Sequence, residues 1–317
     1  MIVPLLVLLI GVVAIYFGAR WLVEGASELA AHFGVPPLVI GLTIVSFGTS
    51  LPELVLGVLS GLEGVGSLSV GNVIGANISN ATYIIGACAI LTPIIVRFEE
   101  IRREAIFMLA SLLVLLLFAY DGTLGAVEGI VMVALFVLYV ALLVRSLYCC
   151  RPSRVVVEEF EAARPDVEPP LKSLSFVLVG AVILIVATDA AVRSATEVAT
   201  SLGMSEFLIG LTIVTLGTTT PEFATSLVAA YKKRADIAVG NALGTLVFNS
   251  LLVLGVGAMI RPLTLTETQI LLGIVPLLLF GTLLAGIVYR REGIGRREGV
   301  FLVVLYVIYL AILLSYS

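Results

Sequence analysis

Gly41-Leu42-Thr43-Ile44-Val45-Ser46-Phe47-Gly48-Thr49-Ser50-Leu51-Pro52-Glu53 sets hydroxyls, a helix-breaking proline and a carboxylate inside an apolar run, and the chain contains the pattern twice. A displacement of 169 positions lays it, without a gap, on Gly210-Leu211-Thr212-Ile213-Val214-Thr215-Leu216-Gly217-Thr218-Thr219-Thr220-Pro221-Glu222. The same displacement superposes a second polar motif, Gly71-Asn72-Val73-Ile74-Gly75-Ala76-Asn77-Ile78-Ser79-Asn80, on Gly240-Asn241-Ala242-Leu243-Gly244-Thr245-Leu246-Val247-Phe248-Asn249.

The chain around these motifs is 317 residues long, 60% hydrophobic and only 13% charged, with a mean hydropathy of +1.17. No water-soluble fold hides so much apolar surface, and runs near the ~20 residues needed to cross a bilayer recur, so the lipid bilayer is the expected partner. No basic patch with interleaved aromatics points to nucleic acid, and nothing calls for an obligate protein partner. Three cysteines are too few for a disulfide framework. Cys88 reads as a small hydrophobe, and the adjacent Cys149 and Cys150 carry only a weak palmitoylation signal. The apolar run from Ile2 to Gly18 has no basic leader and has a counterpart near Leu171 to Ala187, so it reads as a retained first helix.

Hydropathy and breakers predict an all-α integral membrane protein with ten spans, roughly 2–31, 36–59, 67–92, 103–119, 124–147, 172–200, 206–229, 236–259, 266–289 and 296–315. Five spans per copy is an odd number. The second copy must then lie upside down, giving a first repeat at 1–150, a linker at 151–171 and an inverted repeat at 172–317. Lys and Arg gather after the odd-numbered spans from the third to the ninth, and only Arg261 follows an even-numbered one. The positive-inside rule then puts both termini outside the cell membrane and the linker in the cytoplasm.

The first and sixth spans carry Arg20, Glu24, Glu28 and Asp189, Arg193, Glu197, spaced by four, as intrahelical ion pairs or the lining of a vestibule. His32 reads as a loop residue with no partner. Glu53 and Glu222 sit well inside their spans, where an ionisable residue is costly and marks function. Pro52 and Pro221 lack the donors that would satisfy the carbonyls of Gly48 and Gly217, so both spans are expected to break there. Freed carbonyls at membrane depth are tolerated where they line a cavity, and there they bind cations. Two carboxylates, backbone carbonyls around Ser46, Thr49, Thr215 and Thr218, and the hydroxyls of Thr49, Ser50, Thr218 and Thr219 make an oxygen set for a hard cation such as calcium. Neither motif holds Cys or His, which disfavours softer metals. Asn72, Ala76 and Asn80 share one helical face, as do Asn241, Thr245 and Asn249, and the glycine pairs 71/75 and 240/244 permit close helix approach.

Gly-Thr-Ser-Leu-Pro-Glu followed by Gly-Asn-x-x-Gly-x-Asn-x-x-Asn, with a second copy that reads Gly-Thr-Thr-Thr-Pro-Glu and Gly-Asn-x-x-Gly-x-Leu-x-x-Asn, resembles over nearly the whole chain the alpha repeats of the calcium/cation antiporter superfamily, most closely the prokaryotic sodium/calcium exchangers. The resemblance implies that spans 2, 3, 7 and 8 hold the ions while spans 1 and 6 slide to alternate access. It implies Glu53 and Glu222 as principal calcium ligands assisted by Thr49 and Thr218. Ser50, Thr219, Asn80, Asn249 and the carbonyls of Ser46 and Thr215 would complete the sodium sites. Three residues depart from the pattern. Asn249 stands where many sodium/calcium exchangers have aspartate, Ala76 replaces a serine whose hydroxyl Thr245 retains on the other side, and Thr220 replaces the leucine before proline.

The expected activity is exchange of Ca2+ for Na+ without a cofactor, with H+ as the alternative coupling ion. An intramembrane enzyme is disfavoured because no nucleophile or zinc constellation exists. A channel is disfavoured because two inverted broken helices suit a site exposed alternately.

Overall fold

The computed structural model describes residues 2–63, 66–96, 98–149, 169–201 and 215–315. These form a helical bundle. Helix α1 (Ile2–Phe33) is followed by a broken element made of α2 (Pro37–Ile40), a π-helical turn (Gly41–Val45), α3 (Ser46–Thr49) and α4 (Leu51–Glu63). Helix α5 (Gly66–Ser79) passes through a second π turn (Asn80–Ile84) into α6 (Ile85–Leu91), and α7 (Phe98–Phe118) and α8 (Ala126–Cys149) complete the first half. The second half runs α9 (Pro170–Ser201), α10 (Thr215–Thr218), α11 (Thr220–Tyr231), α12 (Ala235–Val247), a π turn (Phe248–Val253) and α13 (Leu254–Ile260). It ends with α14 (Glu267–Gln269), a π turn (Ile270–Ile274), α15 (Val275–Arg291) and α16 (Arg296–Ser315). Residues 151–168 of the expected linker and 206–214 of the expected seventh span lie outside the described residues.

Among the described residues, six helices are long and apolar enough to cross a membrane. The pair Pro37–Thr49 and Leu51–Glu63, bent by 47°, would make a seventh. Helix α7 meets the expected fourth span but opens on Phe98-Glu99-Glu100-Ile101-Arg102-Arg103-Glu104, which is charged for a bilayer interior. His32 belongs to the last turn of α1 rather than to a loop; three apolar positions earlier, Leu29 is buried and holds that turn in the core.

Burial ranks the helices. The spans Ser69–Leu91 and Ala235–Ile260 are each 78% buried, whereas Ala126–Arg145 is 22% buried. The Asn-bearing segments are therefore the axis of the bundle, and the flanking helices present Val3, Leu9, Ile10, Leu117, Val127 and Leu279 outward. Apolar side chains facing outward are what lipid requires. Helices α1 and α9 pack along each other more extensively than any other pair. Gly18 makes this possible, since a Cβ there would fall 3.0 Å from the Gly180 carbonyl. Trp21 stacks on Phe176 with centroids 6.3 Å apart across the same seam. Four two-residue strands tie the halves together: β1 (Ile94–Ile95) pairs antiparallel with β4 (Gly293–Ile294), and β2 (Thr123–Leu124) with β3 (Leu263–Thr264).

Candidate functional site: an oxygen-lined centre between two broken helices

The breaks fall two residues before each proline. Ser50 leaves the helix at φ −91°, ψ 9°, and Thr219 does so at φ −90°, ψ 2°. Each proline then occupies the first turn of the next helix, where a missing donor costs nothing. The carbonyl each proline fails to satisfy lies four residues back. A control sits elsewhere in the chain. Pro276 frees the carbonyl of Leu272, and the Tyr309 hydroxyl donates to it at 2.9 Å. Among the described residues no side chain performs that service for Gly48 or Gly217. The Ser46 carbonyl differs from the expectation, since it accepts from Ser50 N at 3.0 Å and from Thr49 Oγ1 at 3.3 Å. The backbone of Thr215 opens α10, but its side chain is not described.

Glu53 and Glu222 both start the helices after the breaks, are 1% and 0% exposed, and lie close enough for the charge of one to act on the other. Around them the halves interlock reciprocally. Thr49 Oγ1 donates to Asn241 Oδ1 at 3.2 Å, and Thr218 Oγ1 donates to Asn72 Oδ1 at 3.0 Å. Each threonine thus holds the first asparagine of the other half. Asn241 Nδ2 donates to Ser226 Oγ at 3.0 Å and reaches the Glu222 carbonyl at 3.5 Å.

The two carboxylates differ. Ser50 Oγ donates to Glu222 Oε1 at 3.2 Å and lies 3.3 Å from Thr245 Oγ1. Thr219 faces the Tyr83 hydroxyl at 3.4 Å. Among the described residues neither oxygen of Glu53 has a hydrogen-bond partner, and Glu222 Oε2 has none either. Asn80 Nδ2 donates to the Ala76 carbonyl at 2.9 Å, and Asn77 Nδ2 to Ser250 Oγ at 2.9 Å, yet the Oδ1 atoms of both are left over. Both polar atoms of Asn249 are unpartnered as well. Six oxygens, from Glu53, Glu222, Asn77, Asn80 and Asn249, are thus buried without a donor. Each such group costs about 1–3 kcal/mol if left bare, so their concentration in one region calls for water or an ion to satisfy them.

Asn80 and Asn249 both lie in π turns. The Asn80 turn packs on α11 and α12, and the Asn249 turn packs on α4 and α5. An extra residue per turn rotates the side-chain direction and is frequent at functional sites. Glu53, Glu222, Thr49, Ser50, Thr219, Thr245, Asn80, Asn249 and Ser46 are all buried in this region, with Thr218 half-buried at its edge. Sequence reasoning passed over Asn77 as a site residue and the tethering roles of Asn72, Asn241 and Tyr83. The Gly-Asn start of each second motif was the available signal for Asn72 and Asn241. Among the described residues no group of three His, Cys, Asp or Glu side chains could hold a transition metal.

A bundle of apolar helices closed around an internal, acidic, oxygen-rich centre defines a membrane protein that handles hard cations. The chain belongs to the sodium/calcium exchanger protein family, which it matches over residues 3–145 and 172–315. It is 34% identical to the inner membrane protein YrbG of Escherichia coli (strain K12) over 310 residues, covering 96% of this chain and 95% of that one. It is 26% identical to the sodium/calcium exchanger MaX1 of Methanosarcina acetivorans, covering 98% of both. Its structure matches that of the sodium-calcium exchanger NCX_Mj soaked with 2.5 mM Na+ and 0.1 mM Ca2+, with a TM-score of 0.84, 28% identity and 98% of each chain covered. Membership of this family makes the chain a membrane cation exchanger rather than an enzyme.

Proposed function

We propose that this chain is a secondary antiporter that exchanges Ca2+ for Na+ by alternating access, with ten membrane-spanning helices in two inverted repeats. The termini face outside and the linker at 151–171 faces the cytoplasm. The ions bind between spans 2, 3, 7 and 8. Glu53 and Glu222 are the charged ligands, Thr49, Thr218, Ser50, Thr219, Asn80, Asn249 and Thr245 supply side-chain oxygens, and the carbonyls near Ser46 and Thr215 contribute from the broken helices. The observation that carries this reading is the set of buried oxygens without donors among the described residues, two of them on Glu53. Calcium takes six to eight oxygens in flexible geometry, and two carboxylates balance one divalent charge. Asn77, absent from the sequence-derived set, joins the ligands through Oδ1.

A second reading, exchange of Ca2+ for H+, is favoured by Ala76 and Asn249, which remove a hydroxyl and a charge from the side that would hold sodium. The deciding experiment is calcium flux in proteoliposomes under an imposed sodium gradient and, separately, an imposed proton gradient at fixed membrane potential. Flux driven by sodium supports the first reading. Flux driven only by protons supports the second, and no calcium flux under either gradient overturns both.

A further inference from the structure

The displacement that superposes the motifs also superposes charges; Glu28 falls on Glu197 with its sign kept, but three other positions reverse. Arg20 falls on Asp189, Glu24 on Arg193, and Glu63, at the end of α4, falls on Lys232, just past the end of α11. In the structure Glu24 reaches out of α1 to the Lys232 ammonium while also accepting from Arg20 Nε at 3.1 Å. The corresponding interaction would join Arg193 of α9 to Glu63 of α4. It is not made. Arg193 instead turns back on Asp189 at 2.9 Å, with both side chains well exposed, and Glu63 is exposed without an ion pair to any described residue.

The backbone carries the same asymmetry. Helix α1 packs along α11, but α9 and α4, which occupy the corresponding positions in the other relation, scarcely touch. Helices α1 and α9 meanwhile form one unit, locked by the glycine seam and by Ser173 Oγ donating to Glu28 Oε2 at 2.9 Å. A rigid α1/α9 pair leaning on α11 at one end of the bundle must lean away from α4 at the other. Two packings of one duplicated scaffold, related by exchanging the roles of the halves, are the general basis of alternating access.

We infer that Glu24–Lys232 and Arg193–Glu63 are alternative latches, one made in each access state, and that the structure holds the state closed by Glu24–Lys232. Glu24, Lys232, Arg193 and Glu63 are positioning residues. They touch no transported ion but set the balance between the two states. This rests on the antiporter reading, which supplies the need for two access states.

The test uses the full chain in proteoliposomes with Cys149→Ser and Cys150→Ser; the remaining Cys88 is buried. Two reporter pairs are built separately, Glu63→Cys with Arg193→Cys and Glu24→Cys with Lys232→Cys, and treated with a short bis-maleimide. Partly exposed ion pairs shift a two-state balance by about two- to fivefold. Lys232→Ala should therefore raise crosslinking of the 63/193 pair about two- to fivefold, and Arg193→Ala should raise that of the 24/232 pair by a similar factor. The exchanged pair Glu24→Lys with Lys232→Glu should return the 63/193 yield to its starting value, which separates latch loss from misfolding. Yields that ignore the opposite substitution, or that are not restored by the exchanged pair, overturn the inference. Crosslinking needs no transport, so the two readings fail separately. Calcium flux with unresponsive crosslinks refutes the latches alone, and responsive crosslinks without calcium flux refute the antiporter reading alone.

Discussion

Glu53→Gln gives the sharpest test of the central site, because the structure leaves both Glu53 oxygens without a donor and sets them against a second buried carboxylate. The substitution removes one carboxylate from a buried pair and strips Glu53 of no hydrogen bond from the described residues, so the ion-free variant should be no less stable than the parent. Binding should respond in the opposite direction. Removing one member of a buried charge complex costs about 3–5 kcal/mol, which raises the calcium Kd by roughly 150- to 5,000-fold at about 1.4 kcal/mol per tenfold. Calcium at 100 times the parent Kd stabilises the parent by about 2.7 kcal/mol. At that same concentration the variant should gain no more than about 0.3 kcal/mol. The assay is thermal unfolding of purified protein in detergent, with and without calcium, beside calcium flux in proteoliposomes. A variant whose unfolding temperature rises with calcium as far as the parent's would refute the assignment of Glu53 as a ligand, whatever its flux.

Ser50→Ala removes a side-chain donor to the Glu222 carboxylate, at 3.2 Å. It should lower ion-free stability by about 1.5–3 kcal/mol, seen as a drop in unfolding temperature that saturating calcium largely restores. Gly18→Leu places a side chain where a Cβ alone would sit 3.0 Å from the Gly180 carbonyl. It should cost at least about 1–3 kcal/mol and separate α1 from α9; Gly286→Ala, where nothing lies within 4 Å, should stay within about 0.5 kcal/mol in the same measurement. Asn249→Asp adds a third carboxylate at a position where both polar atoms are free. It should change the sodium and pH dependence of flux more than the calcium Kd, and unchanged coupling would remove the significance of that position.

Much of this architecture was legible because it rests on short-range chemistry. Pro52 and Pro221 announce broken helices through a missing donor, and the breaks at Ser50 and Thr219 lie within two residues of them. The spacing of Arg20 with Glu24, and of Asp189 with Arg193, announces intrahelical pairs that the structure forms. What stayed hidden depends on residues brought together from far apart. Thr49 meets Asn241 across 192 positions and Thr218 meets Asn72 across 146. Nothing local to a threonine names its acceptor. The π turns at Asn80 and Asn249 keep ordinary helical dihedrals at their flanks, so no residue preference betrays the extra amide that redirects their side chains. Two-residue strands such as Ile94–Ile95 are too short for alternation to register.

The unneutralised carboxylates also explain, on the antiporter reading, why exchange should be obligatory. Carrying the empty site between faces means holding Glu53 and Glu222 together in a water-excluded core, where unit charges 4 Å apart at an effective dielectric of ~20 repel by about 4 kcal/mol. One divalent cation, two sodium ions or two protons cancel that charge; a bare site does not. The return of the carrier is therefore favoured only when something replaces the calcium it released. Ser50 eases the burden for Glu222 alone, which leaves Glu53 as the residue whose charge most demands a passenger. Leak without exchange should accordingly rise when Glu53 is neutralised and fall short of that when Glu222 is, a ranking that comparison of uncoupled flux in the two glutamine variants would expose.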